Sequence, residues 1–403
     1  MISFKESLKI IENNVFISQK SESISVDQSL GRVLSSDLFS KSDYPRENLS
    51  AMDGAVIFKK DIHLLNIKIV GEIKAGDRFS KDFKNGEARL IYTGGPVPGK
   101  DKVIIPKENF EICKSNNSIR IINNNIKNYI RKKGSDFKIN QLCLKKNMKM
   151  NIRAVCLAKA MNIKKVKVKK KPNVLIIVTG DELIKNKSNK DPLVISTNKI
   201  FLEKIVHNFG GKVIGIHESK DDKKDLNSLI SKYDGYDILI TSGGVSKGKY
   251  DLVKSVLKEN NFNILFDRVL IKPGKPTTFG VLSNKSFFLG LPGNPVSCFT
   301  SLIFFFSKFI NSFYGQEFIS LKSNQLSLKN QISKNNHLTN FLRIKIEKNK
   351  PNFFRVFSKQ DSSQLKILNE SDGLLIRKPY EKELLPGTKC KVLLFKELNR
   401  NQI

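Results

Sequence analysis

The chain has 403 residues, of which 39% are hydrophobic and 27% are charged, and its formal net charge is +33. This length and composition predict two to four globular domains and exclude a disordered chain. No apolar run approaches the ~20 residues of a membrane-spanning helix. Residues 1–15 mix charged with apolar side chains, which is typical of an amphipathic helix rather than a secretory signal. We therefore expect a cytoplasmic protein without a membrane partner.

Lysine supplies most of the positive charge, since only 12 of the 71 basic residues are arginine. The lysines are scattered and no aromatic platform accompanies them, so the pattern does not favour nucleic-acid binding. A solvated lysine surface would still attract anionic substrates. The five cysteines form no CxxC pair, and none of the four histidines has a cysteine or another histidine at metal-ligand spacing, so we expect catalysis to use carboxylates, lysines and backbone amides.

The predicted elements group into four domains. Short strand patterns mark a β-rich lobe, aliphatic runs alternating with helical patterns mark an α/β domain, and strands with turns mark a small C-terminal β-barrel. Helices predicted at 1–15 and 151–161 are expected to pack together in an elongated, discontinuous domain. The expected bounds are 1–43 with 134–171 for the elongated domain, 44–133 for the β-rich lobe, 172–316 for the α/β domain and 317–403 for the barrel.

Strand patterns in the first two domains are short and broken by glycine and proline. They predict strands at 64–70, 89–92, 102–105 and 118–122. The lysine-rich run at 164–171 favours an exposed edge strand, with a linker as the alternative.

The α/β domain is predicted to be doubly wound around a parallel sheet, which places ligands beyond the carboxyl ends of its strands. Its strands are expected at 174–178, 213–216, 237–241 and near Val269 and Phe287, and its helices at 197–208, 224–232, 252–259 and from the turn at 291–295 to about 313.

Acidic residues follow three points at this edge of the predicted sheet. Asp181 and Glu182 come after the first strand, Asp221 and Asp222 after the second, and Asp251 lies just past a glycine-rich loop. Each alone could be a helix cap or a solvated surface group. Together they suit a magnesium ion held by oxygen ligands for phosphoryl chemistry.

The glycine-rich loop at 242–248 follows a strand and precedes a helix. Its backbone N–H groups could hold an anion at the helix N-terminus, although a plain tight turn explains the spacing nearly as well. The candidate binding residues are Ser242, Gly243, Gly244, Ser246 and Gly248.

A set of basic and hydroxyl residues, which we call the cationic group, lies in or beside two turns that proline fixes, at 273–276 and 291–295. Arg268, Lys272, Lys275 and Ser297 could form an anion pocket, or the prolines could serve loop rigidity alone. Two motifs of the β-rich lobe, SAMDG at 50–54 and TGGPVP at 93–98, show no chemistry of their own, and a structural loop is their default interpretation.

The ordered set of motifs resembles the molybdopterin molybdenumtransferases of molybdenum cofactor biosynthesis, related to the E domain of gephyrin. The resemblance spans essentially the whole chain: SAMDG, TGGPVP, RKKGSDF at 131–137, TGDEL at 179–183, SGGVSKG at 242–248, KPGKP at 272–276 and GLPGNPVS at 290–297. Two positions depart from the family pattern, Leu49 before SAMDG and Ala55 after it.

The resemblance implies insertion of molybdate into adenylylated molybdopterin with release of AMP, and an elongated homodimer with a composite site at its interface. It also suggests an adenylyltransferase as the partner that supplies the substrate. A non-catalytic molybdopterin-binding or scaffold paralogue is the alternative. Carried over residue by residue, the catalytic positions are Asp53, Thr93, Asp136, Glu182, Asp221 and Asp251, of which the last three would hold Mg²⁺, and the ligand-binding set gains Pro292 and Pro295.

Overall fold

The structure is a computed structural model and describes residues 1–78, 82–123, 127–179, 197–219, 222–243, 256, 262–317, 319 and 321–402. Helix α1 (Phe4–Asn14) opens with a capping box, in which Ser3 Oγ accepts the Glu6 N–H at 3.2 Å and the Glu6 carboxylate accepts the Ser3 N–H at 3.4 Å. The predicted helix is confirmed, but its expected pairing with helix 151–161 is wrong. It packs on the long helix of the α/β domain, where Phe4 meets Phe304 edge to face, and Phe4 also meets Phe341 of the C-terminal barrel edge to face.

The chain before residue 172 forms strand pairs and one larger sheet. Helix α2 is Ile152–Ala160. The strands are β1 (Ser21–Ser25), β2 (Leu38–Phe39), β3 (Leu49–Ser50), β4 (Gly54–Phe58), β5 (Ile67–Ile73), β6 (Glu87–Ile91), β7 (Lys102–Pro106), β8 (Phe110–Cys113), β9 (Ser118–Ile121), β10 (Ile130–Arg131), β11 (Leu142–Leu144) and β12 (Lys165–Lys169).

The β-rich lobe is a six-stranded sheet in the order β7-β4-β6-β5-β9-β8. Its two faces cover separate clusters of aliphatic side chains, since β4 buries Ala55 and Ile57 on one side and Val56 on the other. Separate pairs join β1 to β12, β2 to β11 and β3 to β10.

Strand β12 confirms the strand predicted at 164–171 but corrects its environment. It pairs with β1 on one side, and on the other its backbone bonds to Val33 and Ser35, so it is not a free edge. Lys169 is buried, and its Nζ donates to the Tyr314 carbonyl at 2.6 Å. Burial lowers the pKa of this lysine.

The α/β domain contains a six-stranded mixed sheet in the order β14-β13-β15-β19-β18-β16, in which the first four strands are parallel and the last two are joined by antiparallel pairs. Its elements are β13 (Asn173–Thr179), α3 (Asn198–Asn208), β14 (Lys212–Ser219), α4 (Lys223–Ser231), β15 (Ile238–Ser242), β16 (Asn263–Asp267), β17 (Ile271–Lys272), β18 (Thr278–Val281), β19 (Phe287–Leu291) and α5 (Pro295–Tyr314).

Helices cover both faces of this sheet, which confirms the doubly wound prediction. Val174 and Ile176 of β13 face α3 and α5, whereas Leu175 and Ile177 face α4 and Val256. Val256 is the one described residue of the helix predicted at 252–259.

The strand predicted near Val269 is misplaced. The sheet instead uses β16 and β18, and Val269 forms a single parallel bridge with Ile2. This pairing with the chain start is a long-range contact, which local sequence patterns do not report.

Helix α5 is the main apolar helix of the fold. Its 20 residues are long and apolar enough by composition to cross a membrane, contrary to the expectation that no run approaches that length, but 78% of its apolar window is buried inside the protein. The middle turn, Leu302–Phe306, is π-helical and fully covered by the sheet and α1. The helix is therefore the core element of this domain.

The C-terminal region closes five strands into a small barrel, as predicted. The order is β21-β22-β20-β24-β23, with β23 pairing back to β21, and β17 of the α/β domain adds in parallel to β21. The elements are β20 (Ser323–Leu328), β21 (Thr339–Glu347), β22 (Lys350–Val356), α6 (Leu365–Glu370), β23 (Gly373–Arg377) and β24 (Lys389–Leu394).

Candidate functional site

Four parallel strands of the α/β sheet end along one edge. Thr179 of β13 stands beside Ser219 of β14, and Ser242 of β15 stands beside Leu291 of β19. The segments that follow these strands therefore start from the same edge, as the sequence predicts for a ligand site.

Ser242 anchors the start of the glycine-rich loop. Its hydroxyl donates to the Pro292 carbonyl at 3.2 Å and accepts from the Asn198 amide at 2.9 Å. The Asn198 amide also donates to the Gly293 carbonyl. Asn198 was missed by the sequence reasoning, because the burial of this first residue of α3 and its contacts with Ser242 and Gly293 are long-range features that local sequence does not report.

Gly243 lets the loop leave the strand closely beside β13. Its φ is +92°, and a side-chain carbon there would lie 2.5 Å from the Thr179 carbonyl oxygen. Its N–H donates to the Leu291 carbonyl at 3.1 Å. Nearby, burial raises the pKa of the Cys298 thiol to about 12, so this thiol is neutral where it meets Ser242.

Six predicted site residues lie outside the described part of the chain: Glu182, Asp221, Asp251, Gly244, Ser246 and Gly248. Asp222, which is next to Asp221, is a helix cap, as the alternative interpretation of these acidic residues predicted. Its carboxylate accepts the Asp225 N–H at 3.2 Å at the start of α4. Within the described ranges, no three His, Cys, Asp or Glu residues cluster to hold a metal ion.

A second cluster is a cationic pocket of about 580 Å³ between the α/β domain and the barrel. Lys272 and Lys275 line it together with Ser297 from the first turn of α5. Arg268 is not among its lining residues, and its backbone N–H donates to Thr277. The structure thus brings together three of the four predicted cationic-group residues.

The turn that carries the two lysines is fixed by buried hydroxyls. Thr277 Oγ1 donates to the Gly274 carbonyl at 2.7 Å and lies 3.0 Å from Ser301 Oγ of α5. Gly274 has a φ of +108°, and a side-chain carbon there would lie 2.4 Å from the same Ser301 oxygen. These contacts therefore fix the position of the turn relative to α5.

The barrel completes the pocket with Gln360, Asp361 and Ser362, which the sequence reasoning missed. Ser362 joins this loop to the start of α5, since its Oγ accepts from Asn294 at 2.9 Å and its carbonyl from the Val296 N–H at 3.0 Å. No local pattern reports such a contact between domains.

Arg343 of β21 anchors the barrel loop that carries Gln360, Asp361 and Ser362 by hydrogen bonds to its backbone. This side chain is 1% exposed and donates to the carbonyls of Asp361 and Gln364 at 3.0 and 3.2 Å and of Lys359 at 3.4 Å. The Asp361 carboxylate faces its own turn, where the Ser363 hydroxyl and N–H hold its pKa below the usual value.

In the β-rich lobe, Asp53 and Thr93 form one hydrogen-bonded unit. Asp53 Oδ1 accepts the Thr93 N–H at 2.7 Å and the Thr93 hydroxyl at 2.8 Å. These two bonds hold the pKa of the exposed Asp53 carboxyl below its usual value, so it is an anion at neutral pH. The SAMDG and TGGPVP motifs therefore form one structural unit.

Glycines allow the two motifs to lock together. The Ser50 N–H donates to the Gly95 carbonyl and the Gly94 N–H to the Ser50 carbonyl, both at 2.9 Å. A side-chain carbon on Gly54 would lie 2.1 Å from the Ile105 carbonyl oxygen.

A groove of about 660 Å³ opens beside this unit, and we call it the arginine groove because Arg46, Arg78 and Arg131 line it with Tyr44 and Gly94.

Asp136 is exposed beside the arginine groove, and its N–H donates to the Tyr44 carbonyl at 3.1 Å. Of the two departures, Leu49 lines the groove, whereas Ala55 is fully buried in the core of the lobe.

Three family models match consecutive parts of the chain. Residues 2–161 match the MoeA N-terminal region (domain I and II), residues 175–312 match a probable molybdopterin binding domain, and residues 325–395 match the MoeA C-terminal region (domain IV).

Relatives and solved structures agree with these models. Proteins named molybdopterin molybdenumtransferase from Staphylococcus epidermidis and Staphylococcus aureus are each 29% identical, over 355 and 354 residues, which is 85% of this chain and 83% of each relative. The crystal structure of a molybdopterin biosynthesis MoeA protein from Pyrococcus horikosii has a TM-score of 0.80 and 27% identity, covering 98% of this chain and 99% of its own. The MoeA N-terminal and C-terminal models, with the molybdopterin binding domain between them, match most of the chain from residue 2 to residue 395. The chain therefore belongs to the molybdopterin molybdenumtransferase family.

Proposed function

We propose that this protein inserts molybdate into adenylylated molybdopterin, releases AMP and yields molybdenum cofactor. The observation that carries the proposal is the position of the cationic pocket. Ser297 lines that pocket, and the next residue, Cys298, contacts Ser242 at the strand-end edge, which is the edge of the sheet where the parallel strands end. The proposed oxyanion site and the start of the proposed phosphate-binding loop therefore meet at one turn of α5.

The cationic pocket suits a tetrahedral oxyanion. Lys272 and Lys275 supply positive charge, and Ser297 and Ser362 add hydroxyl groups that can donate to oxygen. Because the turn of the lysines and the barrel loop are both anchored on α5, the donors are in place before the anion arrives.

The strand-end edge would hold the pyrophosphate link of the substrate. We assign the amides of Gly244 and Gly248 to its phosphate oxygens, whereas the Gly243 amide, also expected to bind phosphate, already donates its N–H to the Leu291 carbonyl. Glu182, Asp221 and Asp251 would hold Mg²⁺, whose charge would neutralise the phosphates; the aligned ends of the parallel strands support this assignment. Hydrolysis then needs positioning and charge neutralisation more than a dedicated base.

We further propose a cytoplasmic homodimer in which the β-rich lobe of one protomer faces the α/β domain of its partner, and an adenylyltransferase as the source of substrate. Asp53, Thr93 and Asp136 would then complete the site across the interface. We also propose the domain bounds 1–43 with 134–171, 44–133, 172–316 and 317–403, with helix α1 of the first domain packed against α5 of the α/β domain.

The test is AMP release from adenylylated molybdopterin by the purified protein, with Mg²⁺ and with or without molybdate. Release that depends on molybdate and yields transferable cofactor supports the proposal. Asp251→Asn should abolish turnover while leaving the oligomeric state unchanged, and a fully active variant would refute the magnesium assignment. Lys275→Gln should raise the KM for molybdate, whereas the exposed Lys285→Gln should not. Tight substrate binding without release would identify a non-catalytic paralogue.

A further inference from the structure

We propose that a groove at one end of the C-terminal barrel binds an acidic segment of a partner protein. The groove has a volume of about 630 Å³ and lies between the end of β20, the hairpin from β21 to β22 and the turn at 386–387. We call it the barrel groove. It shares no lining residue with the cationic pocket.

The barrel groove is more basic than the chain as a whole. Five basic side chains and one acidic side chain line it, whereas the chain has 71 basic and 38 acidic residues. The acidic residue, Glu347, lies 2.7 Å from Lys329 Nζ and 3.6 Å from Arg355 Nε. Because its charge is already paired, the groove keeps a positive excess that favours a negatively charged partner.

Two lysines at the tip of the hairpin carry this excess. Lys345 pairs with Asp372 at 3.2 Å, but Lys348 and Lys350 are exposed and have no ion-pair partner in the part of the chain that the structure describes. Lys350 Nζ lies 5.8 Å from the ring centre of Phe353. Each of the two ammonium groups can therefore pair with a carboxylate of a bound segment.

The groove also has an apolar surface. Phe353 and Ile346 are half-buried, and Pro386 is exposed beside them. A ligand made only of charged groups would leave this surface in water. An acidic segment that carries one apolar side chain covers the surface and pairs with the lysines at the same time.

Backbone hydrogen bonds hold the walls of the groove together. The Gly387 N–H donates to the Leu328 carbonyl at 2.7 Å, and the Lys329 N–H donates to the Phe354 carbonyl at 2.8 Å. The groove is therefore formed before a partner arrives, which reduces the conformational entropy lost on binding.

The barrel groove and the cationic pocket lie at opposite ends of β21. Thr339 begins this strand next to Leu338, which lines the cationic pocket, and Glu347 ends it in the barrel groove. At about 3.3 Å per residue, the two ends are roughly 25 Å apart. A protein bound in the groove would leave the cationic pocket open, which suits a docking partner better than a substrate.

Two other occupants fit the groove less well. A second copy of this chain also has a net charge of +33 and would be repelled. A nucleic acid would meet four lysines and one arginine, and lysine lacks the planar fork with which arginine binds phosphate in bidentate fashion.

The test is fluorescence anisotropy of a labelled short peptide, in which aspartates and glutamates flank a central phenylalanine, with the full-length protein at physiological salt. Lys348→Gln combined with Lys350→Gln should weaken binding about fivefold or more. The matched control is Lys378→Gln combined with Lys382→Gln, which removes the same charge from exposed positions of the same barrel outside the groove and should weaken binding less than about twofold. A peptide with serine in place of phenylalanine should bind the unaltered protein about threefold or more weakly.

Equal losses in the two double variants would show attraction by net charge alone and would overturn the proposal, as would equal affinities for the two peptides. A single-stranded oligonucleotide of the same charge that binds more tightly than the peptide, and loses affinity in the Lys348 and Lys350 variant, would assign the groove to nucleic acid instead. Saturating peptide should leave AMP release unchanged, and competition with molybdate would place the peptide in the cationic pocket. Because peptide binding is measured without turnover, it is decided separately from the proposed function.

Discussion

Gly274→Ala tests whether one backbone position fixes the cationic pocket. The left-handed φ of +108° would cost an alanine about 1–2 kcal/mol. The new carbon would lie 2.4 Å from Ser301 Oγ and 2.9 Å from Ile271 Cδ1. Displacing Ser301 would break its bond with Thr277, about 1 kcal/mol, and crowding Ile271 would add about 1–3 kcal/mol. We therefore expect a loss of about 3–6 kcal/mol in the free energy of unfolding.

Gly387→Ala is the matched control, since Gly387 has a φ of +87° and no atom within 4 Å of the added carbon. Its loss should be limited to the backbone cost of about 1–2 kcal/mol. Urea unfolding of both variants measures the difference, and molybdate titration of AMP release should give a raised KM for Gly274→Ala only. Equal destabilisation of the two variants would refute the close contact with α5 as the reason for this glycine.

Three further predictions concern charged groups. Because the folded pKa of Asp53 lies below 3.8, its contribution to stability is present above that pH and is lost as pH falls through the folded value; Asp53→Asn should flatten this acid limb in urea unfolding and lower kcat. Burial lowers the pKa of Lys149 from 10.5 to about 8, so stability should rise with pH between these values, by less than ~3 kcal/mol because the residue is partly exposed. Lys149→Gln should reduce this rise, and part of it should remain because burial also lowers the pKa of Lys169. Arg343→Met leaves three carbonyls without their donor and should cost about 3 kcal/mol or more and raise the KM for molybdate, whereas Arg355→Met, on a half-exposed ion pair of the same barrel, should do neither.

The parallel strands were predictable because burial on both faces leaves a continuous aliphatic run, as in Val174–Val178 of β13. The environment of strand β12 was predicted wrongly because its burial depends on long-range contacts. Its lysine and valine alternate as in an exposed edge, but residues 33–35 cover its free side and Tyr314 supplies an acceptor for Lys169. Val269 was misplaced in the same way, through its bridge to Ile2.

The same contrast between local patterns and long-range contacts applies to the predicted site residues. Lys272, Lys275 and Ser297 are near two turns that proline marks in the sequence, so their proximity was predictable. Ser362 reaches that pocket only because the barrel adds its β21 to β17, which no periodicity within either domain reports. The groove beside SAMDG also needs loops from distant parts of the chain.

The first turn of α5 joins two regions of the fold mechanically. Ser297 lines the cationic pocket, and the next residue, Cys298, is fully buried and contacts Ser242 at the start of the glycine-rich loop. Successive residues of one helical turn move together. A displacement of Ser297 by a molecule in the pocket would therefore also shift the contact that holds Ser242.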